Sequence, residues 1–240
     1  MYGNLSARLR LLTACAALWL PLTACGQGGT EQGMDERTAS PVAAPEPVMV
    51  PERAHRWQRT QARYARQEIG PDAPVALLGA QVHAESHWQP EARSPVGAEG
   101  LAQFMPGTAE HVAELGAGEG QPTSPRWSLR AQAVYTGLLL DQLATRSPNP
   151  VDDVALWAFA LSAYNGGLGW LDEERATSED PARWYTATRQ EQARSDAAWQ
   201  ENREYVDKIY RKEPSYRDQG WPGPTVKGYI QAEKVEVNEP

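Results

Sequence analysis

The sequence predicts an all-α protein, with a single compact helical domain that follows an export signal and a flexible tether. Apolar residues recur at helical spacing through most of the chain after residue 53, and Pro- and Gly-containing turns separate these stretches. No stretch alternates apolar and polar residues convincingly, as a half-buried strand does. The 240 residues suffice for one domain with attached tails, or at most two small domains.

The first 25 residues have the order of a secretory signal. Arg8 and Arg10 precede an apolar run, 11–22, that is too short to cross a bilayer, and small residues follow it. The run ends in Leu-Thr-Ala-Cys, which resembles a bacterial lipobox with Cys25 as the lipidated residue. We therefore expect a lipoprotein held to the membrane through lipid on Cys25. Under the sorting habit of such lipoproteins, Gly26 rather than aspartate after the cysteine implies the outer membrane, with the protein facing the periplasm. The alternative is an ordinary cleaved signal and a soluble periplasmic protein.

Three further segments follow the signal. Residues 26–52 are rich in Gly, Ala, Pro and Glu and hold few large apolar side chains, so we expect a flexible linker. The helical domain is predicted to occupy residues 53–213. Residues 214–240 contain a Trp-Pro-Gly-Pro sequence and an acidic end, and they are predicted to form an extended tail.

Seven stretches of the domain are predicted to be helical. Asp72 and Thr108 are candidate N-caps, and Pro74 suits a first helical turn. The stretches are 53–69, 74–87, 108–115, 129–145, 153–164, 181–189 and 199–211.

Composition excludes several classes of function. The formal net charge of −8 makes nucleic acid a poor candidate partner. Both cysteines lie within the first 25 residues, so the folded part holds neither a disulfide framework nor a cysteine metal site. The four histidines lack metal-ligand spacing, so we expect no metal site. We also expect no cofactor.

Glu85 is the candidate catalytic residue. Val75, Leu78 and Val82 recur at helical spacing and define a buried face, and Glu85 follows on the same face. Burial would raise the pKa of this carboxyl group, as a general acid that works near neutral pH requires. The alternative is a structural glutamate that reaches solvent at the helix end or pairs with an arginine.

Three sequence blocks surround this residue. Glu85-Ser86 is followed by Ser-Pro-Val-Gly-Ala at 94–98, Gly-Leu-Ala-Gln-Phe-Met-Pro-Gly-Thr-Ala at 100–109, and Ala-Tyr-Asn-Gly-Gly at 163–167. In this order and spacing they resemble the soluble lytic transglycosylase domain, the family that also includes goose-type lysozyme. The resemblance extends over residues 75–210.

The resemblance implies a lysozyme-like fold with a substrate groove that binds the glycan strands of peptidoglycan. It implies that Glu85 is the catalytic acid and that the substrate-binding residues are Ser86, Ser94, Gln103, Tyr164 and Asn165. From the residues alone, the ring of Tyr164 could be core, and Asn165 could belong to an ordinary helix stop. Gln103 needs hydrogen-bond partners that either a ligand or the backbone could supply.

Two departures from the family pattern are visible. Ala102 replaces the usual methionine, a change that we expect to alter packing in the groove rather than chemistry. The segment Glu-Asn-Arg-Glu-Tyr-Val at 201–206 is similar to a further family helix, with Asn202 in place of threonine. This form is also similar to the phage and prophage branch of the family.

The resemblance implies cleavage of the bond between N-acetylmuramic acid and N-acetylglucosamine, with a 1,6-anhydromuramoyl end as product and Glu85 as the one acid and base. We expect the enzyme to act as a monomer. One alternative is a hydrolytic muramidase in which Glu91 or Glu99 activates water, although solvated loop charges explain both residues. Another is a non-catalytic lipoprotein that binds the cell wall.

Overall fold

The computed structural model describes residues 47–146 and 153–224. In these ranges all regular secondary structure is helical, and only isolated antiparallel bridges, at Arg93, Glu99 and Phe104, interrupt the loops. The α-helices are α1 (Glu52–His55), α2 (Gln58–Glu68), α3 (Val75–Ser86), α4 (Pro106–Val112), α5 (Pro125–Arg146), α6 (Asp153–Gly166), α7 (Leu168–Thr177) and α8 (Asp196–Asp218). The predicted all-α class is confirmed.

Helix α3 is the centre of the domain. It packs chiefly against α8 and also against α2, while α5 packs against both α2 and α6. The residues predicted to form its buried face, Val75, Leu78 and Val82, are buried. A second, smaller cluster surrounds Phe104, and the rings of Tyr135 and Tyr164 contact both clusters. The domain therefore has two apolar centres joined by tyrosines.

The predicted caps differ from the observed ones. Helix α3 starts after Pro74 with no side-chain cap, so Asp72 does not serve as its cap. Helix α4 starts at Pro106 rather than after Thr108, since proline has no N–H to satisfy and its φ angle suits a first turn. A π-helical turn, Ala113–Ala117, then continues α4.

The predicted helix at 181–189 is wrong. This stretch consists of turns and a short 3-10 helix, Thr188–Gln190, while α7 occupies residues that were not predicted to be helical. The reason is tertiary packing, because Trp184 is fully buried with its ring against Phe159 and the guanidinium of Arg203. Gly167, with φ of 90°, ends α6 as predicted and immediately precedes α7.

The folded domain extends beyond the predicted limits of 53 and 213. Helix α8 continues through Pro214 to Asp218, and Trp221 is buried against the ring of Tyr216. At the other end, the N–H of Val48 donates to Ser215 Oγ at 2.9 Å. Residues 214–221 thus belong to the folded domain rather than to an extended tail, because Tyr216 and Trp221 are buried in the core.

The signal at 1–25, most of the predicted linker and residues 225–240 lie outside the described residues, as does Cys25. Among the helices that the structure describes, none combines the length and the apolar character needed to cross a membrane.

Candidate active site

Glu85 lies one residue before the end of α3, on the wall of a groove of about 1520 Å³. The groove is formed by the end of α3, the loop after it, the start of α4, Tyr135 of α5, the end of α6 and residues 197–211 of α8. Its lining includes all six residues singled out as catalytic or substrate-binding: Glu85, Ser86, Ser94, Gln103, Tyr164 and Asn165. The structure therefore brings together residues that are up to 80 positions apart in the chain.

The environment of Glu85 favours its protonated form. Burial raises the pKa of Glu85 from 4.5 to about 7, although a hydrogen bond from Tyr205 and the charge of Lys208 oppose this rise. The negative charge of Glu201 adds to it. Among the described residues, no arginine or lysine forms an ion pair with Glu85, so the alternative of a structural salt bridge is not observed. A carboxyl group in this setting can hold a proton near neutral pH and also release it.

Tyr205 on α8 is the direct partner of Glu85. Its hydroxyl donates to Glu85 Oε1 at 2.6 Å, and it accepts a hydrogen bond from Gln81 Nε2 at 3.0 Å. Sequence reasoning noticed the segment that contains Tyr205 but assigned it no role in the site. The available signal was the resemblance of residues 201–206 to a family helix.

Tyr164 also lines the groove, close enough to feel the charge of Glu85. Its hydroxyl donates to the carbonyl oxygen of Ala102 at 3.0 Å, and its ring packs against Tyr135 and Phe104. Burial raises the pKa of Tyr164 well above its ordinary value, and the negative charge of nearby Glu85 raises it further. Tyr164 is therefore both a core residue and part of the groove.

The loop between α3 and α4 is held by its own polar side chains. Ser94 Oγ accepts the N–H of Ala98 at 2.9 Å, and Gln103 Nε2 donates to the carbonyl oxygens of Ala92 and Gly100 at 3.1 and 2.9 Å. The backbone thus supplies the partners that Gln103 needs. The Ser94 hydroxyl proton and the Gln103 amide oxygen remain available to a ligand.

The backbone of Pro122 comes so close to residue 100 in this loop that the position requires glycine. Its φ is 80°, and an added Cβ would lie 1.8 Å from the carbonyl oxygen of Pro122. Only glycine fits there. Ser86 also holds the loop, since its hydroxyl donates to the carbonyl oxygen of Leu101 at 2.8 Å. These contacts position the loop over the end of α3.

Asn165 is tied to α8. Its Oδ1 accepts a hydrogen bond from Asn202 Nδ2 at 2.8 Å, and Asn202 Nδ2 also donates to the carbonyl oxygen of Ser162. The asparagine that replaces the family's threonine therefore links the ends of α6 and α8 beside the groove.

The two loop acids lie outside the lining of the groove. Glu99 pairs with Arg93 at 2.7 Å, and Glu91 is exposed. The lining carboxylates besides Glu85 all come from α8, namely Glu201, Glu204 and Asp207. Of these, Asp207 is bound by Arg189 and by the hydroxyl of Tyr185.

Comparison with known proteins identifies relatives of this domain. Membrane-bound lytic murein transglycosylase F of Pasteurella multocida is 37% identical over 118 residues, which are 47% of this chain and 22% of that protein. The protein of the same name from Maricaulis maris is 39% identical over 103 residues, which are 43% of this chain and 21% of that protein. The chain thus spans less than a quarter of the length of these relatives.

The fold is also found in a solved structure. The 70 kDa soluble lytic transglycosylase of Escherichia coli matches with a TM-score of 0.54 at 22% identity, over 73% of this chain and 26% of that chain. This likeness confirms the predicted lysozyme-like fold. The model of the transglycosylase SLT domain matches residues 65–186, just over half of the chain. The chain therefore belongs to the transglycosylase SLT domain family.

Proposed function

We propose that this protein is a peptidoglycan lytic transglycosylase that cleaves the β-1,4 bond between N-acetylmuramic acid and N-acetylglucosamine. The observation that carries the proposal is Glu85, an acid with a pKa of about 7 on the wall of a long groove. The family membership of residues 65–186 and the names of the relatives support it. Ser94, Gln103, Tyr164 and Asn165 are proposed to contact the sugars, since they line the same groove.

In the first step, neutral Glu85 gives its proton to the glycosidic oxygen as the bond to the muramoyl anomeric carbon breaks. The 2-acetamido group of the substrate stabilises the electron-poor carbon. Glu85 is then a carboxylate, and the hydrogen bond from Tyr205 at 2.6 Å stabilises that charge.

In the second step, the Glu85 carboxylate takes the proton of the muramoyl 6-hydroxyl, whose oxygen attacks the anomeric carbon. A 1,6-anhydro bond forms, and Glu85 is again protonated for the next cycle. The nucleophile belongs to the bound sugar itself, and such intramolecular arrangements can contribute up to about 7–11 kcal/mol. One acid therefore suffices for the whole reaction.

Two alternative functions are less well supported. A hydrolytic muramidase based on Glu91 or Glu99 would need one of these acids at the groove, and neither lines it. A non-catalytic protein that binds the cell wall would need no protonatable acid, whereas burial raises the pKa of Glu85 to about 7.

Mass spectrometry of digested peptidoglycan sacculi tests the proposed reaction. We expect anhydromuramoyl products, which are one water lighter than the products of hydrolysis. Glu85→Gln is the matched control, and we expect it to form products at least about 100-fold more slowly. Hydrolytic products from the wild type, or anhydro products formed by the Glu85→Gln variant at nearly the wild-type rate, would contradict the proposal.

For localisation, we propose an outer-membrane lipoprotein anchored through Cys25. The signal, the lipobox-like Leu-Thr-Ala-Cys sequence and Gly26 support this proposal. Cys25→Ser should move the protein from the membrane fraction to the soluble fraction. Membrane association that survives this substitution would contradict the anchor.

A further inference from the structure

A chain of buried glutamines leads from α2 to the candidate acid. Gln61 on α2, Gln132 on α5 and Gln81 on α3 are each only 1% exposed. Buried amides are costly unless they form hydrogen bonds, and apolar side chains of this size would fill the same space. Three such residues in contact within a helical core therefore call for an explanation.

The three amides form a continuous series of hydrogen bonds. Gln61 Nε2 donates to Gln132 Oε1 at 2.9 Å, and Gln132 Nε2 donates to Gln81 Oε1 at 2.8 Å. Gln81 Nε2 donates to the hydroxyl oxygen of Tyr205 at 3.0 Å, and that hydroxyl donates to Glu85 Oε1. Every donor in the series points toward the acid.

The backbone fixes this direction. Gln132 Nε2 also donates to the carbonyl oxygen of Leu78 at 3.1 Å. A carbonyl oxygen can only accept, so the amide nitrogen of Gln132 has to face Leu78, and its second proton goes to Gln81 Oε1. The amide nitrogen of Gln81 is then left for Tyr205. The single hydroxyl proton of Tyr205 is consequently directed at Glu85.

We infer that Gln81, oriented by Gln132 and the carbonyl of Leu78, is a positioning residue that makes Tyr205 a permanent hydrogen-bond donor to Glu85. Because Oε1 accepts that bond, Oε2 is the oxygen that carries the catalytic proton. The inference rests on the proposed function. It adds residues on α3 and α5 that do not touch the substrate but determine which oxygen of the acid reacts.

The direction of the Tyr205 hydrogen bond affects the proton transfer from Glu85. A tyrosine that donates stabilises the Glu85 carboxylate formed when the proton leaves, whereas a tyrosine free to rotate could accept the proton of the neutral acid instead. Loss of the hydrogen bond from Gln81 to the Tyr205 hydroxyl should therefore slow the proton transfer without weakening substrate binding. The other charged or titratable groups that act on Glu85 or Tyr205 are Lys208 and Glu201 from α8 and Tyr164 from α6, and none of them is altered by changes at Gln81.

The test replaces Gln81 by methionine, which is unbranched and similar in size. We expect Gln81→Met to lower kcat by about tenfold, the effect of one hydrogen bond of about 1.4 kcal/mol in the transition state, with KM unchanged. The alkaline pH at which kcat falls should also move to a higher value. The reason is that Tyr205 is no longer held as a donor to Glu85, so the ionised form of Glu85 is stabilised less.

Gln61→Met is the matched control, because it removes a glutamine of equal burial while leaving the bond between Gln132 and the Leu78 carbonyl in place. We expect its kcat to stay within about twofold of the wild type. In a Tyr205→Phe background, Gln81→Met should lower kcat no further, because Gln81 acts through the Tyr205 hydroxyl.

Thermal melting shows whether each variant folds. If Gln81→Met does not fold, Gln132→Met tests the same inference and should give the same loss of kcat. The inference is overturned if Gln81→Met leaves kcat unchanged, if Gln61→Met causes an equal loss, or if the two changes add in the Tyr205→Phe background. Failure of the proposed function is a different result, namely a wild-type protein that forms no anhydro products.

Discussion

Two glutamates of this domain, Glu85 and Glu174, lie in helices, the first half-buried at the groove and the second fully buried, and their partners differ. Glu174 on α7 is 0% exposed and is bound by two arginines, Arg194 at 3.0 and 3.1 Å and Arg203 at 2.8 Å. Glu85 has a tyrosine hydroxyl as its hydrogen-bond partner, and burial raises its pKa to about 7. A paired cation favours the ionised form of a buried carboxyl group, whereas among the described residues no cation pairs with Glu85, so desolvation can raise its pKa.

The position of each glutamate fits this difference. Arg203 also donates to the carbonyl oxygens of Arg189, Thr188 and Glu191, so the Glu174 cluster holds the loop after α7 against α8. Glu85 instead faces the groove. One carboxylate organises structure, and the other is available for chemistry.

The largest effect that separates the two sites is expected from Glu85→Gln. General acid–base catalysis typically contributes about 10²–10⁴-fold, so the rate of cleavage should fall at least that far. The unfolding midpoint should not decrease, since no ion pair is lost. Turnover of purified sacculi and a thermal melt measure the two quantities, and a lower midpoint would show that Glu85 is a structural residue.

Glu174→Gln is expected to lower stability and to leave activity largely intact, the reverse of Glu85→Gln. It leaves Arg194 and Arg203 buried without their carboxylate, and breaking a buried pair in this way costs about 3–5 kcal/mol. Denaturant unfolding should show this loss, while the folded protein keeps most of its activity at low temperature. Loss of activity at full stability would contradict the comparison.

The pH dependence of stability should also distinguish Glu85. Its folded pKa of about 7 lies above the ordinary value of 4.5, so ionisation is disfavoured by folding. Between these values the unfolded chain loses its proton first, and the free energy of unfolding should fall as pH rises. Glu85→Gln cannot ionise at this position. The free energy of unfolding of the variant, relative to that of the wild type, should therefore rise from pH 4.5 to 7 and then level off. A constant difference across this range would count against a raised pKa.

A smaller effect is expected from Tyr164→Phe. The substitution keeps the ring against Tyr135 and Phe104 but leaves the buried carbonyl of Ala102 without its partner. We expect a loss of about 1 kcal/mol in the free energy of unfolding. Denaturant unfolding measures it, and a loss as large as that of Glu174→Gln would mean that Tyr164 also has a major structural role.

The smallest effect is expected from Glu99→Gln. Its ion pair with Arg93 is partly exposed, and such pairs contribute about 0–1 kcal/mol. Product masses and the rate should stay the same, as should those of Glu91→Gln. A large loss of rate in either variant, or a change between hydrolytic and anhydro products, would support the hydrolytic alternative.

Local pattern predicted only part of the site. The apolar spacing of α3 placed Glu85 on a buried face, and turn residues marked the end of α6. These features depend on neighbours within a few positions, which a single sequence displays. The substrate-binding residues followed from the resemblance to the transglycosylase family.

Tertiary contacts determined what local pattern missed. The bond between Tyr205 and Glu85 joins residues 120 positions apart, and Glu174 meets its arginines across 20 and 29 positions. The stretch at 181–189 appears helical in sequence, but burial of Trp184 holds it in turns. Likewise, burial of Tyr216 and Trp221 holds residues 214–221 against the domain through contacts that no periodicity reveals.

Glu85, unlike Glu174, is a half-buried acid that forms no ion pair with any described residue, and its pKa is raised. The most direct test follows the carboxyl ¹³C chemical shift of Glu85 by NMR as a function of pH, with Glu85→Gln to assign the signal. The account predicts a midpoint of about 7. A midpoint near 4.5, the ordinary value for glutamate, would contradict it.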